Sequence, residues 1–503
     1  MSPERGAAPT ATAYFIIAGF ALARLAFAAS LGLGVDESYT IVIARQLSLS
    51  YFDHPPLHLW IAHAAALIFG ESVAIRLPFV ALFAVTGWLI FLTSRRLFGP
   101  RAALIALFCL NATPFFFASA GAWVVPDGPL LCALSAAALL LTTLFFEPVE
   151  AARRWRLWLG VGLALGLAGL AKYNAIFFPL GLLIFILGAT SQRHWLRSGA
   201  PYVSAALALL LLAPVLIWNA QHDWISFNFQ SARGALSGHW RPDQSLAMLA
   251  GEAAFLAPWL FAPLAAALIG AIWAGRRDER QFFLVCLALP AILFFTLAPL
   301  WGQRGLPHWP MPGWIFVYPL MGAWLDKGWA RMRDLRLYGA VCAGLLGALA
   351  LLVVSQASSG WLTPDAWPAA DPTLETLSWA PIGDAAAFSA KLAPAPAFVV
   401  ATKWSDGGKV GLALGPQMPV LIFSDDPRGL AFAADPNNFL SEDGVIIVPQ
   451  SRAQATRDAL APYFESLGAT EPVELMRGGK IALSLAAIPA HVLTHRFAAP
   501  YPR

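Results

Sequence analysis

The chain has 503 residues, of which 58% are hydrophobic and 12% charged, with a formal net charge of +4 at pH 7. Soluble domains carry about a quarter charged residues, so this balance excludes an ordinary soluble protein and points to a polytopic membrane protein. The net charge is too small to suggest nucleic acid, and none is expected as a partner. The four cysteines, Cys109, Cys132, Cys286 and Cys342, all lie in apolar runs, as buried packing residues do, and form neither a disulfide set nor a metal site.

A membrane-crossing helix needs ~20 mostly apolar residues. In chain order such stretches fall at roughly 12–33, 76–97, 101–119, 129–146, 157–171, 175–190, 200–218, 249–273, 281–300, 313–325 and 337–355, about eleven spans. The first is longer than the apolar core of a signal peptide and more spans follow, so it reads as a retained anchor. Short loops rich in Arg and Lys face the cytoplasm. Here those are "TSRRLFGPRAA", "EPVEAARRWR", "SQRHWLRSG", "AGRRDERQ" and "DKGWARMRDLR". The opposite loops, 34–75, 119–128, 172–174, 219–248 and 301–312, hold fewer cations and more aromatics. An odd number of spans then puts the C-terminal tail outside the cytoplasm, in the periplasm of a cell with two membranes.

After about Gln356 the composition turns to Pro, Asp and Gly, which divides the chain into a membrane part, 1–356, and a tail, 357–503. Four β-type runs follow: "AFVVAT" (397–402), "PVLIFS" (419–424), "GVIIVP" (444–449) and "KIALSLAAI" (480–488). Helical patterns, "SDGGKVGLALG" and "SRAQATRDALAPYFESLG", lie between some of them. The expected fold is therefore mainly α, with a small C-terminal α/β domain outside the cytoplasm.

The unusual polar residues converge on the outer side. The first outer loop carries Asp36, Glu37, Tyr39, Asp53, His54 and His58. The second carries Asp127 in "WVVPDGPL", a short turn carries Lys172 in "GLAKYNAIFFP", and later loops carry Arg233, Arg304 and His308. Ionisable groups at a bilayer are costly and mark function by default. Each also has a plainer reading. Asp36 and Glu37 would suit the solvated start of a loop, Asp127 a helix cap followed by Pro129, and Lys172 a residue snorkelling to the headgroups. The i, i+4 pair His54 and His58 has zinc-ligand spacing, but Pro55 and Pro56 break a helix there, so no metal site is expected.

The order of an apolar helix, "DE", an amphipathic stretch, "YFDHPPLHLW" and a second helix resembles the bacterial relatives of the protein O-mannosyltransferases and the lipid A aminoarabinose transferases. These are membrane glycosyltransferases of the GT-C fold. "AKYN", "QHDWISFNFQ" and "PHWPMPGW" extend the resemblance through the membrane part. It implies that Asp36 is the catalytic residue, that Asp127 supports it, and that basic residues clamp a lipid phosphate. The aminoarabinose transferases have Glu-Lys where this chain has Asp53-His54, and Arg where it has Tyr39. These departures argue that the chain is not itself an aminoarabinose transferase, and they leave Lys172, Arg233, Arg304 and protonated His54 as replacements for the phosphate site. The expected site is therefore Asp36 and Asp127 as catalytic carboxylates. Glu37, Tyr39, Asp53, His54, Lys172, Arg233, Arg304 and His308 surround the substrates, with Glu37 in an extended segment pointing away from Asp36.

The chemistry fits a polyprenyl-phosphate sugar donor in the membrane and a lipid, glycan or protein acceptor outside it. A carboxylate takes the acceptor hydroxyl proton. The phosphate leaving group, with a second pKa of ~6, needs cations and no proton donor. Direct attack inverts the anomeric centre. No cofactor is required, and a divalent cation near Asp36 and Glu37 is left open. The competing class is a transporter or flippase of lipid-linked sugars, which would carry ionisable residues mid-membrane; here they gather at one surface. A cell-envelope scaffold with the fold and no activity is the third reading.

Overall fold

The computed structural model describes residues 4–233, 239–302, 305–328, 332–362, 371–383 and 395–497. Helices fill the chain as far as Ser359. Among the described residues six are long and apolar enough to cross a membrane unaided, and up to nine if each sharply bent pair is one span. The six include α1 (Glu4–Ala29), α4 (Leu77–Phe98, extended by a preceding turn from Val73), α5 (Asp127–Phe146) and α6 (Met332–Ser359). The two remaining labelled helices of this part are short: α2 (Val35–Ala44) and α3 (Leu57–Phe69). The expected count of eleven is not reached by unbroken helices, and proline is one reason. The 101–119 stretch bends by 79° at Pro114, and the 249–273 stretch breaks at Ala257-Pro258. A proline removes a helix hydrogen bond and clashes with the preceding turn.

Helix α5 lies at the centre, packed between α4 and the helix Ala151–Ala171, and its inward residues Leu130, Leu131, Leu134, Ala137, Ala138 and Leu141 are buried. The end of α5 that carries Asp127 is the end that matters for the site.

The tail forms one six-stranded sheet: β1 (Phe398–Ala401), β2 (Val420–Ile422), β3 (Gly444–Pro449), β4 (Phe464–Leu467), β5 (Glu471–Arg477) and β6 (Lys480–Leu493). Strand β1 pairs in parallel with β2 and β3. Strand β6 runs antiparallel to β3 on one side and to both β4 and β5 on the other. The four expected strands are present. Strands β4 and β5 carry no continuous apolar run: each has only one buried residue, Phe464 and Leu475, among exposed and half-buried ones. The helix expected over 451–468 covers only Ala453–Leu460 before the chain turns into β4.

Helix α7 (Trp404–Leu414) joins β1 to β2 and lies directly on α2. The approach is so close that a Cβ on Gly408 would sit 2.7 Å from the Tyr39 backbone nitrogen, so only glycine fits. Ala401, Val420, Ile422 and Leu430 of the tail share one apolar core with Tyr39, Ile41, Val42 and Ile43 of the first outer loop. Polar contacts fasten the same seam. The Lys409 ammonium donates to the Leu33 and Leu377 carbonyls at 2.5 and 3.1 Å. Arg45 donates to the Gly411 carbonyl at 2.9 Å while pairing with Glu71 at 2.7 Å. A boundary drawn at residue 356 therefore divides the sequence but not this core.

Candidate active site

A cavity of about 870 Å³ opens beneath this seam. Its polar end holds Asp36, His54, Asp127, Lys172, His308 and Arg428. The rest of its wall is largely aromatic and apolar, including Phe115, Phe177, Phe255, Phe294, Phe295 and Leu306. Phe255, Phe294 and Leu306 keep more than a third of their surface accessible, so the apolar wall is open to an apolar ligand.

Asp36 and Glu37 occupy the first turn of α2, not an extended segment. Gly34 is the N-cap, and the Glu37 carboxylate folds back to accept from the Gly34 N–H at 2.8 Å. Carboxylates are favoured there because the first amides of a helix are unpaired and the dipole is positive. Successive helical residues diverge by ~100°, so the two acids still point apart. Glu37 is buried against Arg76, with Nε–Oε1 and Nη2–Oε2 separations of 2.7 and 2.5 Å, and also accepts from the Val124 N–H. Arg76 in turn donates to the Ala28, Leu31 and Gly32 carbonyls at the end of α1. The expectation that Glu37 borders substrate is therefore corrected: every polar direction it has is used to fix α1, α2 and the chain before Asp127.

Asp36 points into the cavity. Among the described residues no side chain or backbone group hydrogen-bonds to its carboxylate. Its surface is exposed, but to the cavity, whose walls crowd it. Burial pushes its pKa above the ordinary range, the Arg428 guanidinium is the strongest influence opposing that, and Asp53 and Glu37 add to the rise.

Asp127 opens α5 without capping it; the cap position is Pro126. Its carboxylate instead receives the Lys172 ammonium at 2.9 Å on both oxygens, and both residues are buried. Lys172 thus neither snorkels nor stands free for a phosphate: it is an ion-pair partner that also lines the cavity. The cap reading of Asp127 does not hold. His54 lies on the cavity wall with its ring 5.4 Å from that of buried His58, edge to face. Among the described residues no group of three metal-type side chains is placed to share an ion.

Tyr39 and Asp53 were expected beside substrate. Both are buried behind the wall, and this too is a correction. The Tyr39 hydroxyl donates to Asp53 Oδ1 at 3.1 Å and accepts from the Gly429 N–H at 2.8 Å, and Asp53 Oδ2 lies 3.9 Å from Arg428 Nη1. Their apolar and polar contacts hold the tail. Arg233 ends the helix Ile225–Arg233, with its side chain outside the described residues, and Arg304 lies outside them altogether.

Two residues of the tail, Trp404 and Arg428, line the cavity and were not foreseen. The Arg428 guanidinium carbon sits 3.9 Å from the Trp404 ring centroid. The only sequence signal was "SDDPRG", a short charged turn with nothing to tie it to the membrane part ~390 residues earlier.

Residues 53–218 match the family described as dolichyl-phosphate-mannose-protein mannosyltransferase. The lipid A galacturonosyltransferase RgtD of Rhizobium johnstonii is 26% identical over 341 residues, 65% of this chain and 66% of that one, so the match spans about two thirds of that relative's length. The fold is that of ArnT from Cupriavidus metallidurans. The apo structure aligns with a TM-score of 0.65 at 17% identity over 95% of this chain and 98% of that one. The structure with undecaprenyl phosphate aligns with a TM-score of 0.64 at 16% identity over 94% and 97%. These likenesses agree with the resemblance carried by the motifs: this is a multi-pass membrane protein with the GT-C fold, similar over residues 53–218 to the protein mannosyltransferase family.

Proposed function

We propose that the protein transfers a sugar, with inversion, from a polyprenyl-phosphate donor to a hydroxyl of an extracytoplasmic acceptor. The acceptor is lipid A, another envelope lipid or glycan, or a protein, and the reaction takes place at the outer face of the bacterial inner membrane. The observation that carries this reading is one cavity with a long aromatic and apolar wall and, at its polar end, a carboxylate without a hydrogen-bonding partner among the described residues.

The donor's prenyl chain lies along Phe177, Phe255, Phe294 and Phe295, and its sugar reaches the polar end. Asp36 takes the proton of the acceptor hydroxyl as that oxygen attacks the anomeric carbon. The bond from that carbon to the phosphate oxygen breaks, and its electron pair leaves with the polyprenyl phosphate. Lys172, oriented by Asp127, and the histidines 54 and 308 offset the charge that develops on the phosphate. The scheme uses no cofactor and no metal. The names of the relatives indicate the first substrates to try, a galacturonosyl donor on undecaprenyl phosphate with lipid A as acceptor.

The test uses purified protein in liposomes with undecaprenyl-phosphate sugars and candidate acceptors, read by mass spectrometry. Acceptor gaining one sugar mass, with matching release of undecaprenyl phosphate, supports the reading. No transfer from any donor, together with unchanged envelope lipids and glycoproteins in cells lacking the protein, overturns it. The tail is placed outside the cytoplasm on the asymmetry of loop charge, and a cytoplasmic reporter that works when fused to the C-terminus would refute that placement.

A further inference from the structure

We propose that Arg428, carried by the tail, is a positioning residue for Asp36. Its guanidinium supplies the positive field in which that carboxylate works as a base, so the membrane part has a competent site only while the tail is seated on it. This rests on the reading of Asp36 as the base.

Three observations place Arg428 in this role. It reaches the same polar end of the cavity as Asp36, although it comes from the other end of the chain. Its side chain is held in place: the guanidinium stacks over Trp404, with Asp53 Oδ2 3.9 Å from Nη1 and Asp426 Oδ2 3.5 Å from Nε. Its backbone is held as well. Arg428 has a φ of +48°, a left-handed conformation that is unfavourable for a non-glycine residue and persists where the surroundings impose it. What imposes it is the next residue. The Gly429 N–H donates to the Tyr39 hydroxyl at 2.8 Å, and a Cβ on Gly429 would lie 2.7 Å from that oxygen. Tyr39 is three residues from Asp36 on α2. The loop that carries the base therefore also grips the turn that carries the arginine.

The charges around Asp36 give that grip a chemical consequence. The acids near it are Glu37 on its own helix, Asp53 from the first outer loop and Glu375 from the tail; the cations are Arg428 and Lys172, and His54 and His308 line the same cavity. Glu37 is neutralised by Arg76, and Lys172 is given to Asp127 on both oxygens. Arg428 is left as the principal attraction for a carboxylate that burial already pushes toward protonation. Removing the guanidinium raises the Asp36 pKa further and shifts the base toward its protonated, inactive form.

The test compares full-length wild type, Arg428→Gln and Arg428→Lys. Infrared titration follows the protonated-carboxyl stretch that is missing in Asp36→Asn. Its midpoint moves up by on the order of one pH unit in Arg428→Gln, about tenfold in the protonation ratio, and stays close to wild type in Arg428→Lys. Limited proteolysis of the tail accompanies both variants. A midpoint unchanged in Arg428→Gln with the tail still protected overturns the proposal. So does an equal shift in Gln and Lys variants, which marks a packing role without charge. If Arg428→Gln releases the tail, a Lys variant that restores docking but not the midpoint also overturns it. Transfer from undecaprenyl-phosphate galacturonic acid adds the second arm. The acid limb of kcat/KM moves up in Arg428→Gln, and activity returns at higher pH. Should wild type transfer nothing, the function reading fails, and the infrared midpoints still decide the role of Arg428.

Discussion

The two sides of the first turn of α2 hold the same kind of group and treat it in opposite ways. On one side Glu37 is buried, bonded to both edges of Arg76 and to two backbone amides. On the other, Asp36 faces an open cavity, with no hydrogen bond from any described residue. Burying a charge is tolerable only when its bonding directions are filled, and Glu37 meets that condition. A carboxylate that must receive a proton from substrate needs its directions left open. Adjacency in sequence therefore says little about shared function; the satisfaction of each acid's hydrogen bonds separates scaffold from chemistry.

The comparison breaks first at Asp36. Asp36→Asn keeps the shape and removes the proposed base, so turnover should fall by a factor on the order of 10² to 10⁴ while the melting temperature stays near wild type. Transfer at the wild-type rate would show that the open carboxylate is not the base.

Glu37→Ala should do the reverse. It leaves the Arg76 guanidinium buried beside three carbonyls and without its counter-ion, and losing one partner of a buried pair costs ~3–5 kcal/mol. The expected outcome is a large drop in thermal stability in detergent, with activity falling only as folded protein is lost. A Glu37→Ala protein as stable as wild type but selectively slow would put Glu37 among the working residues after all.

What the sequence made legible follows from the range over which its signals act. The apolar runs, the acid at 36, the acid at 127 and the lysine at 172 are local signals in short outer loops, and all three charged residues line one cavity. The pairing of Lys172 with Asp127 was not legible, because 45 residues and a hairpin of two helices separate them. Tyr39 and Asp53 were placed near substrate because their neighbours in sequence are; their actual partner is a turn at 428–429, which no periodicity announces. Strands β4 and β5 were missed because a strand flanking a long partner can be half exposed and short of β-branched residues.

The Lys172–Asp127 pair lies between the two extremes of the comparison, buried like Glu37 but lining the cavity like Asp36. A double-mutant cycle with Lys172→Met and Asp127→Asn sorts it. Contacting residues show coupling energies of ~0.5–3 kcal/mol, so the double variant should regain part of the stability that each single variant loses. Donor binding and transfer should not return with it, since the cation beside the leaving phosphate is gone. Recovery of both stability and transfer would make the pair scaffold alone.

The smallest expected effect sharpens the comparison at the seam. Tyr39 sits one helical turn from Asp36 on α2, and its hydroxyl links Asp53 to the Gly429 amide. Burial and the neighbouring Asp53 push the pKa of that phenol well above its ordinary value, so it remains a neutral donor across the working pH range. Tyr39→Phe keeps the ring against Trp404 and deletes only the two hydrogen bonds. A typical buried hydrogen bond contributes ~1 kcal/mol net, more where a charged acceptor such as Asp53 is left with one donor fewer. The tail should then open more often by a factor of roughly 5 to 30, seen as faster hydrogen exchange at the amides of 426–430 with the exchange of α5 unchanged. Because Arg428 is carried on that turn, transfer should fall by a similar or smaller factor. Faster exchange throughout the membrane part would mean that Tyr39 stabilises the whole fold, and unchanged exchange at 426–430 would mean that the tail is held without it.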